Sequence, residues 1–110
     1  MVSVIIRTRG ANISGFTAIG HAGFAEEGGD IVCAAVSALL QAAMAGLDEV
    51  ANAKPDVTLK KGSMQLFLPT LLESGQMHDA QTILKTCLNS VEAIAKQFPG
   101  NVKVKRVAGK

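Results

Sequence analysis

The amino-acid sequence predicts an α+β protein, a two-layer α/β sandwich of order ββαββαβ with two helices on one face of a small, largely antiparallel sheet. Three observations carry this expectation. Short β-favouring runs with alternating side chains lie near both ends and in the middle of the chain. Two longer runs follow the helical period, and clusters of Gly, Pro, Asn and Asp separate the segments. At 110 residues the chain can bury one core without disulfide or metal staples, so a single domain over residues 1–110 is expected.

In VSVIIRT, Val2, Val4 and Ile6 fall on one face, and Phe16 to Ile19 resume the β-favouring composition after GANISG, which predicts a first hairpin. The first helix is expected after GGD, with Asp30 as its N-cap and Gly46 marking or weakening its end. Val32, Val36, Leu39, Ala43 and Leu47 form one stripe, and Cys33, Ser37, Leu40 and Met44 form the next. A helix so apolar around its circumference should be covered on more than one side, which points to a homodimer.

After Lys54-Pro55-Asp56, the run VTLKKGSMQLFLP reads as a second hairpin turning at Lys60 to Ser63. From about Gln76 to Phe98 the apolar positions return every three or four residues until Pro99-Gly100 stops the helix. Asn101 to Val107 alternates Val with Lys as a last strand with one solvated face, and the tail AGK is expected to fray.

Composition narrows the function. A formal charge of +2, with neither Trp nor Tyr, supports no inference of direct nucleic-acid binding. Gly, Gln and charged residues interrupt every apolar run, so no membrane-spanning segment is expected. The start lacks the charged and apolar regions of a secretion signal, which predicts a cytoplasmic protein with reduced thiols. Two Cys and two His without close-pair spacing make no zinc site, and the phosphate-loop, dinucleotide and GxSxG motifs are missing, so neither metal nor cofactor is expected.

The stretch GHAGFAEEGGDIVCAAVSALL, from Gly20 to Leu40, concentrates the chemistry. His21 follows the second strand, and Cys33 lies in the first turn of the helix. A cysteine at a helix N-terminus feels the positive end of the helix dipole, and a nearby imidazolium further favours the thiolate, which is how a Cys–His nucleophile is made. The intervening segment, with Gly23, Gly28 and Gly29, suits a loop that opens and closes over a substrate. The plainer reading stands beside it: cysteines are commonly buried, and Cys33 would then only pack. Asp30 reads first as a helix cap, Ser37 as a small helical residue one turn beyond Cys33, and Gly20 as a strand-end turn or a point of close approach. Cys87 reads as core, and His78 as surface or packing.

At GHA…GxDIVCAAVSAL the sequence resembles the ribosomal-processing cysteine protease family, Prp. The resemblance is specific over residues 20–40 and extends along the chain in length and element order. It implies a catalytic dyad of His21 and Cys33, with Gly20, Asp30 and Ser37 also matching, and a loop comprising Ala22, Gly23, Phe24, Gly28 and Gly29 over the site. It further implies a homodimeric endopeptidase that supports ribosome assembly. Its substrate would be a ribosomal protein precursor, large-subunit protein twenty-seven of bacteria, from which it removes an N-terminal extension. Two rival readings remain: a non-catalytic, ribosome-associated binding module, and a thiol sensor that uses Cys33 alone.

Overall fold

The computed structural model of the protein describes residues 1–20 and 30–109. Its elements run β1 (Val2–Arg9), β2 (Asn12–Ile19), α1 (Asp30–Ala45), β3 (Asp56–Lys60), β4 (Ser63–Phe67), α2 (Ser74–Gln97) and β5 (Val102–Ala108), the expected ββαββαβ order. The five strands form one sheet in the order β3-β4-β2-β1-β5. The pairings β3·β4, β4·β2 and β2·β1 are antiparallel, whereas β1 and β5 run parallel from Val2↔Val102 to Thr8↔Ala108. Two antiparallel hairpins are thus linked by crossovers, α1 carrying the chain from β2 to β3 and α2 carrying it from β4 to β5.

The core lies between one sheet face and the helices. Val2, Val4, Ile6, Phe16, Ala18, Met64, Leu66 and Val102 project from the strands onto Val36, Leu40, Ala43 and Leu47 of the first helical segment and Ala80, Leu84, Leu88 and Val91 of α2. Alternation sends the intervening strand residues to the opposite face, which no described helix covers.

Several expectations are corrected. The first turn is only Gly10-Ala11, and β2 already begins at Asn12, because Asn12 and Ile13 pair with Arg9 and Thr8. Ser14 is the extra residue of a β-bulge, where the register shifts between Arg7 and Thr8. Beyond the bulge β4 no longer accompanies β2, and a side chain takes its place. The Gln81 amide of α2 accepts from the Ile13 N–H at 2.7 Å and donates to the Ile13 carbonyl at 2.8 Å. Gln81 is itself buried, so α2 is stitched to the sheet by a fully desolvated pair of hydrogen bonds.

Helix α1 ends at Ala45, so Gly46 marks its end as expected, but the chain does not leave the helical path there. The chain continues through a π-helical turn, Gly46–Val50, closed by the Ala51 N–H on the Gly46 carbonyl at 2.9 Å. Gly46 also marks close helix packing, since a Cβ there would stand 3.1 Å from Ile83 of α2. Because neither Gln41 nor Gly46 interrupts it, the helix from Ile31 to Val50 is long and apolar enough to cross a membrane, contrary to expectation. Its stripe of Val36, Leu40, Ala43 and Leu47 packs into the core, while the other side of the helix stays exposed.

The tail is tied down through Gly109, whose N–H donates to the Thr8 carbonyl at 2.9 Å. Helix α2 starts at Ser74, with the Gln76 side chain accepting from the Glu73 N–H and donating to the Asn52 carbonyl. On the opposite side, Arg106 of β5 grips Glu92 of α2 with Nε and Nη2 at 2.9 and 3.0 Å. The Arg106 hydrogen bond holds the Glu92 carboxyl below its usual range. A depressed carboxylate stabilises above its unfolded value and loses that contribution as the pH falls through the folded one. Both partners are partly exposed, so Glu92→Gln should cost only about 0.5 kcal/mol at pH 7 and close to nothing at pH 3, read from urea denaturation.

Candidate active site

The described part of the site is its two shoulders. The first is the end of β2. Gly20 donates its N–H to the Gly62 carbonyl at 2.7 Å, and its φ is +88°. A Cβ at this position would stand 2.5 Å from the Met1 carbonyl oxygen. Both readings of Gly20 from sequence therefore coincide, since the turn and the close approach of the chain each require glycine. Gly20→Ala is expected to cost about 2 kcal/mol in chemical denaturation, and to slow any chemistry that depends on His21, the next residue.

The second shoulder is the start of α1. Asp30 is the first helical residue, which puts Cys33 in the first turn as the sequence predicted. The Cys33 side chain is partly buried and packs against the edge of the core through the same stripe that carries Leu40. Ser37 follows one turn later, also partly exposed. First-turn N–H groups have no intrahelical acceptor, so this end of α1 favours a developing negative charge. His21, Ala22, Gly23, Phe24, Gly28 and Gly29 lie outside the described residues, as does whatever caps α1.

Three features flank these shoulders that sequence patterning did not single out. Ile19, which precedes Gly20, is 52% exposed, Met1 is 62% exposed, and Ile31, two residues before Cys33, is 77% exposed. As members of a strand, a terminus and a helix they read as ordinary apolar positions; only the structure shows that they leave apolar surface beside Gly20 and Cys33. Such surface suits an apolar peptide segment better than a charged one.

The second thiol differs. Cys87, on α2, is free like Cys33, and burial pushes its thiol up, which fits an inert packing role. His78 is exposed at the start of α2. Among the described residues no group of three His, Cys, Asp or Glu side chains converges on a common point as metal ligands would.

Comparison with known proteins now bears on this arrangement. Residues 1–103 match the family model described as cysteine protease Prp. The ribosomal processing cysteine protease Prp of Bacillus subtilis is 30% identical over 104 residues, covering 93% of each chain. A Streptococcus mutans crystal structure superposes with a TM-score of 0.87 at 25% identity, over 99% of this chain and 96% of the other. The essential ribosomal processing protease Prp of Staphylococcus aureus, in complex with a covalently linked product peptide, superposes with a TM-score of 0.82 at 25% identity over 97% and 100% of the two chains.

Proposed function

Because the chain belongs to the cysteine protease Prp family, and is a cysteine protease, we propose that it removes the N-terminal extension of ribosomal protein twenty-seven of the bacterial large subunit. The observation that carries this reading is Cys33 in the first turn of α1, within the motif GHA…GxDIVCAAVS through which the chain resembles its family. The reading places the enzyme in the cytoplasm, as one domain over residues 1–110, supporting ribosome assembly.

In the proposed mechanism the Cys33 thiolate attacks the scissile carbonyl carbon, and negative charge gathers on the carbonyl oxygen near the N-terminus of α1. His21, as imidazolium, gives its proton to the departing amine as the C–N bond breaks, leaving a thioester on Cys33. Water then attacks the thioester carbonyl while His21 takes up its proton, and the thiolate leaves. Gly20 positions His21 by fixing the end of β2. Asp30 and Ser37 support Cys33 from the same helix, and Ala22, Gly23, Phe24, Gly28 and Gly29 form the segment that covers the peptide. Exposed Met1, Ile19 and Ile31 support an apolar residue on the substrate side.

A peptide spanning the extension and the mature junction, incubated with the enzyme under reducing conditions, should show one cut at that junction by mass spectrometry. If that peptide and the folded precursor both stay intact, the substrate assignment is wrong.

We further propose a homodimer formed through α1. Apart from Gln41, the residues Ile31, Ala34, Ala35, Ala38, Ala42 and Ala45 make an exposed apolar stripe, so the helix expected to be covered on several sides is covered on one. Light scattering should give twice the 11.4 kDa chain mass, and Ala38→Glu with Ala42→Glu should return it to the monomer value. A monomeric wild type would remove this proposal.

A further inference from the structure

The net charge of +2 conceals a separation of charge between the two layers. The strands and their turns carry Arg7, Arg9, Lys60, Lys61, Lys103, Lys105 and Arg106, against the single acid Asp56. The helical segments carry Asp30, Asp48, Glu49, Asp79 and Glu92 against Lys85 and Lys96. Arg106, the one strand cation turned towards α2, is already paired with Glu92. The remaining cations belong to the sheet side, and alternation directs Arg7, Lys60, Lys103 and Lys105 to the face opposite the helices.

The register turns that face into an ordered surface. One row across the strands reads Lys60, Ser63, Ile19, Ser3, Lys103; the next reads Thr58, Gln65, Thr17, Ile5, Lys105. Lysines therefore stand at both margins, about 19 Å apart across four strand spacings, and Lys103 and Lys105 follow one another at about 7 Å along β5. Between them lie uncharged side chains, Ser63, Ser3, Gln65 and Thr17 with hydrogen-bonding groups and Ile19 and Ile5 without. In the third row Asp56 stands at the margin beside Phe67, whose ring is partly exposed, and Arg7 brings a guanidinium whose buried Nε has no acceptor among the described residues. Nothing acidic interrupts the first two rows.

We infer that this open sheet face is a docking surface for single-stranded RNA, with Lys60, Lys103, Lys105 and Arg7 meeting phosphates and Phe67 meeting a base. Cations at the margins of a flat uncharged centre with an aromatic ring are the chemistry that holds a nucleic-acid strand, and a ring with a π-face accepts any base. An acidic protein would satisfy the lysines but would have no use for the ring or the neutral centre. With one aromatic residue, binding is sequence-independent and dominated by charge. The inference stands apart from the protease assignment, since Lys60, Lys103, Lys105, Arg7 and Phe67, which would hold the strand, are not among the residues placed in that site, although Ile19 borders both.

The test is fluorescence anisotropy with a labelled 20-nucleotide oligouridine and the full chain. About four phosphate contacts on a single strand predict a salt slope near −3, so raising salt from 50 to 200 mM should weaken binding roughly 50-fold. Lys60→Glu, Lys103→Glu and Lys105→Glu together should weaken it at least about tenfold, with an unchanged circular dichroism spectrum and unchanged peptide cleavage. Lys85→Glu with Lys96→Glu, on α2, should leave it within about twofold. The inference is overturned by an absence of binding at 50 mM salt, by equal losses in the two sets of variants, or by polyglutamate competing as well as unlabelled oligouridine.

Discussion

Cys33→Ala should abolish peptide cleavage, lowering turnover by at least about 10⁴-fold, while leaving the fold in place. The size follows from the chemistry: without sulfur no thioester forms, and only binding and electrostatic assistance to water remain. The fold should survive because Cys33 is partly exposed on the first turn of α1 and touches only the margin of the core, so the loss of one sulfur atom costs less than about 1 kcal/mol. His21→Ala should give a comparable loss of turnover, because the leaving amine then lacks its proton donor. Mass spectrometry of the cleaved peptide and thermal unfolding measure the two quantities separately. Cleavage retained by Cys33→Ala would remove Cys33 as nucleophile, and retained cleavage by His21→Ala would reduce the dyad to a lone thiol.

The second large effect is on stability. Gln81→Leu should cost about 3 kcal/mol, because it strands both the N–H and the carbonyl of Ile13 in a buried position on the side of β2 that β4 no longer covers. For a chain of this size that is a fall of more than about 10 °C in the unfolding midpoint. A local readout separates this cause from general loosening: the Ile13 amide should lose its protection from hydrogen exchange before those of Val4 and Ile6. Thr82→Ala, on the exposed neighbour whose hydroxyl only bonds back to the His78 carbonyl, should change stability by under about 0.5 kcal/mol. A cost below 1 kcal/mol for Gln81→Leu would show that the amide pair is replaceable.

These two residues mark what was legible in the sequence. Cys33 could be placed in the first turn of a helix because GGD punctuates its start, and the regular alternation of Val2, Val4 and Ile6 and of Val102 and Val104 announced strands. Gln81 could not be read in the same way. On an amphipathic helix a glutamine looks like a solvent-facing residue, and its burial follows from a bulge at Ser14 that lies far away in sequence. The same bulge hid the start of β2, because GANISG has the composition of a turn although Ile13 faces the core. Gly46 marks the end of α1, as its low helix propensity suggests, but the π-helical turn that follows and the contact its missing Cβ allows with Ile83 were not legible. At the candidate site, local pattern supplied Cys33, whereas the exposure of Ile19 and Ile31 depends on what tertiary packing leaves uncovered.

The parallel pairing of β1 with β5 also governs when the molecule becomes complete. Val2 pairs with Val102, and the Val2 N–H donates to the Asn101 carbonyl, so β1 finds one of its neighbours only after a hundred further residues have been made. Until then β1 carries a row of unpaired backbone groups along one edge, and closure must meet the entropy of a loop nearly as long as the chain. The hairpins and α1 can assemble during synthesis, but the sheet cannot close. A chain wired in this way favours slower, late-cooperative folding, with an unpaired edge on β1 until β5 arrives.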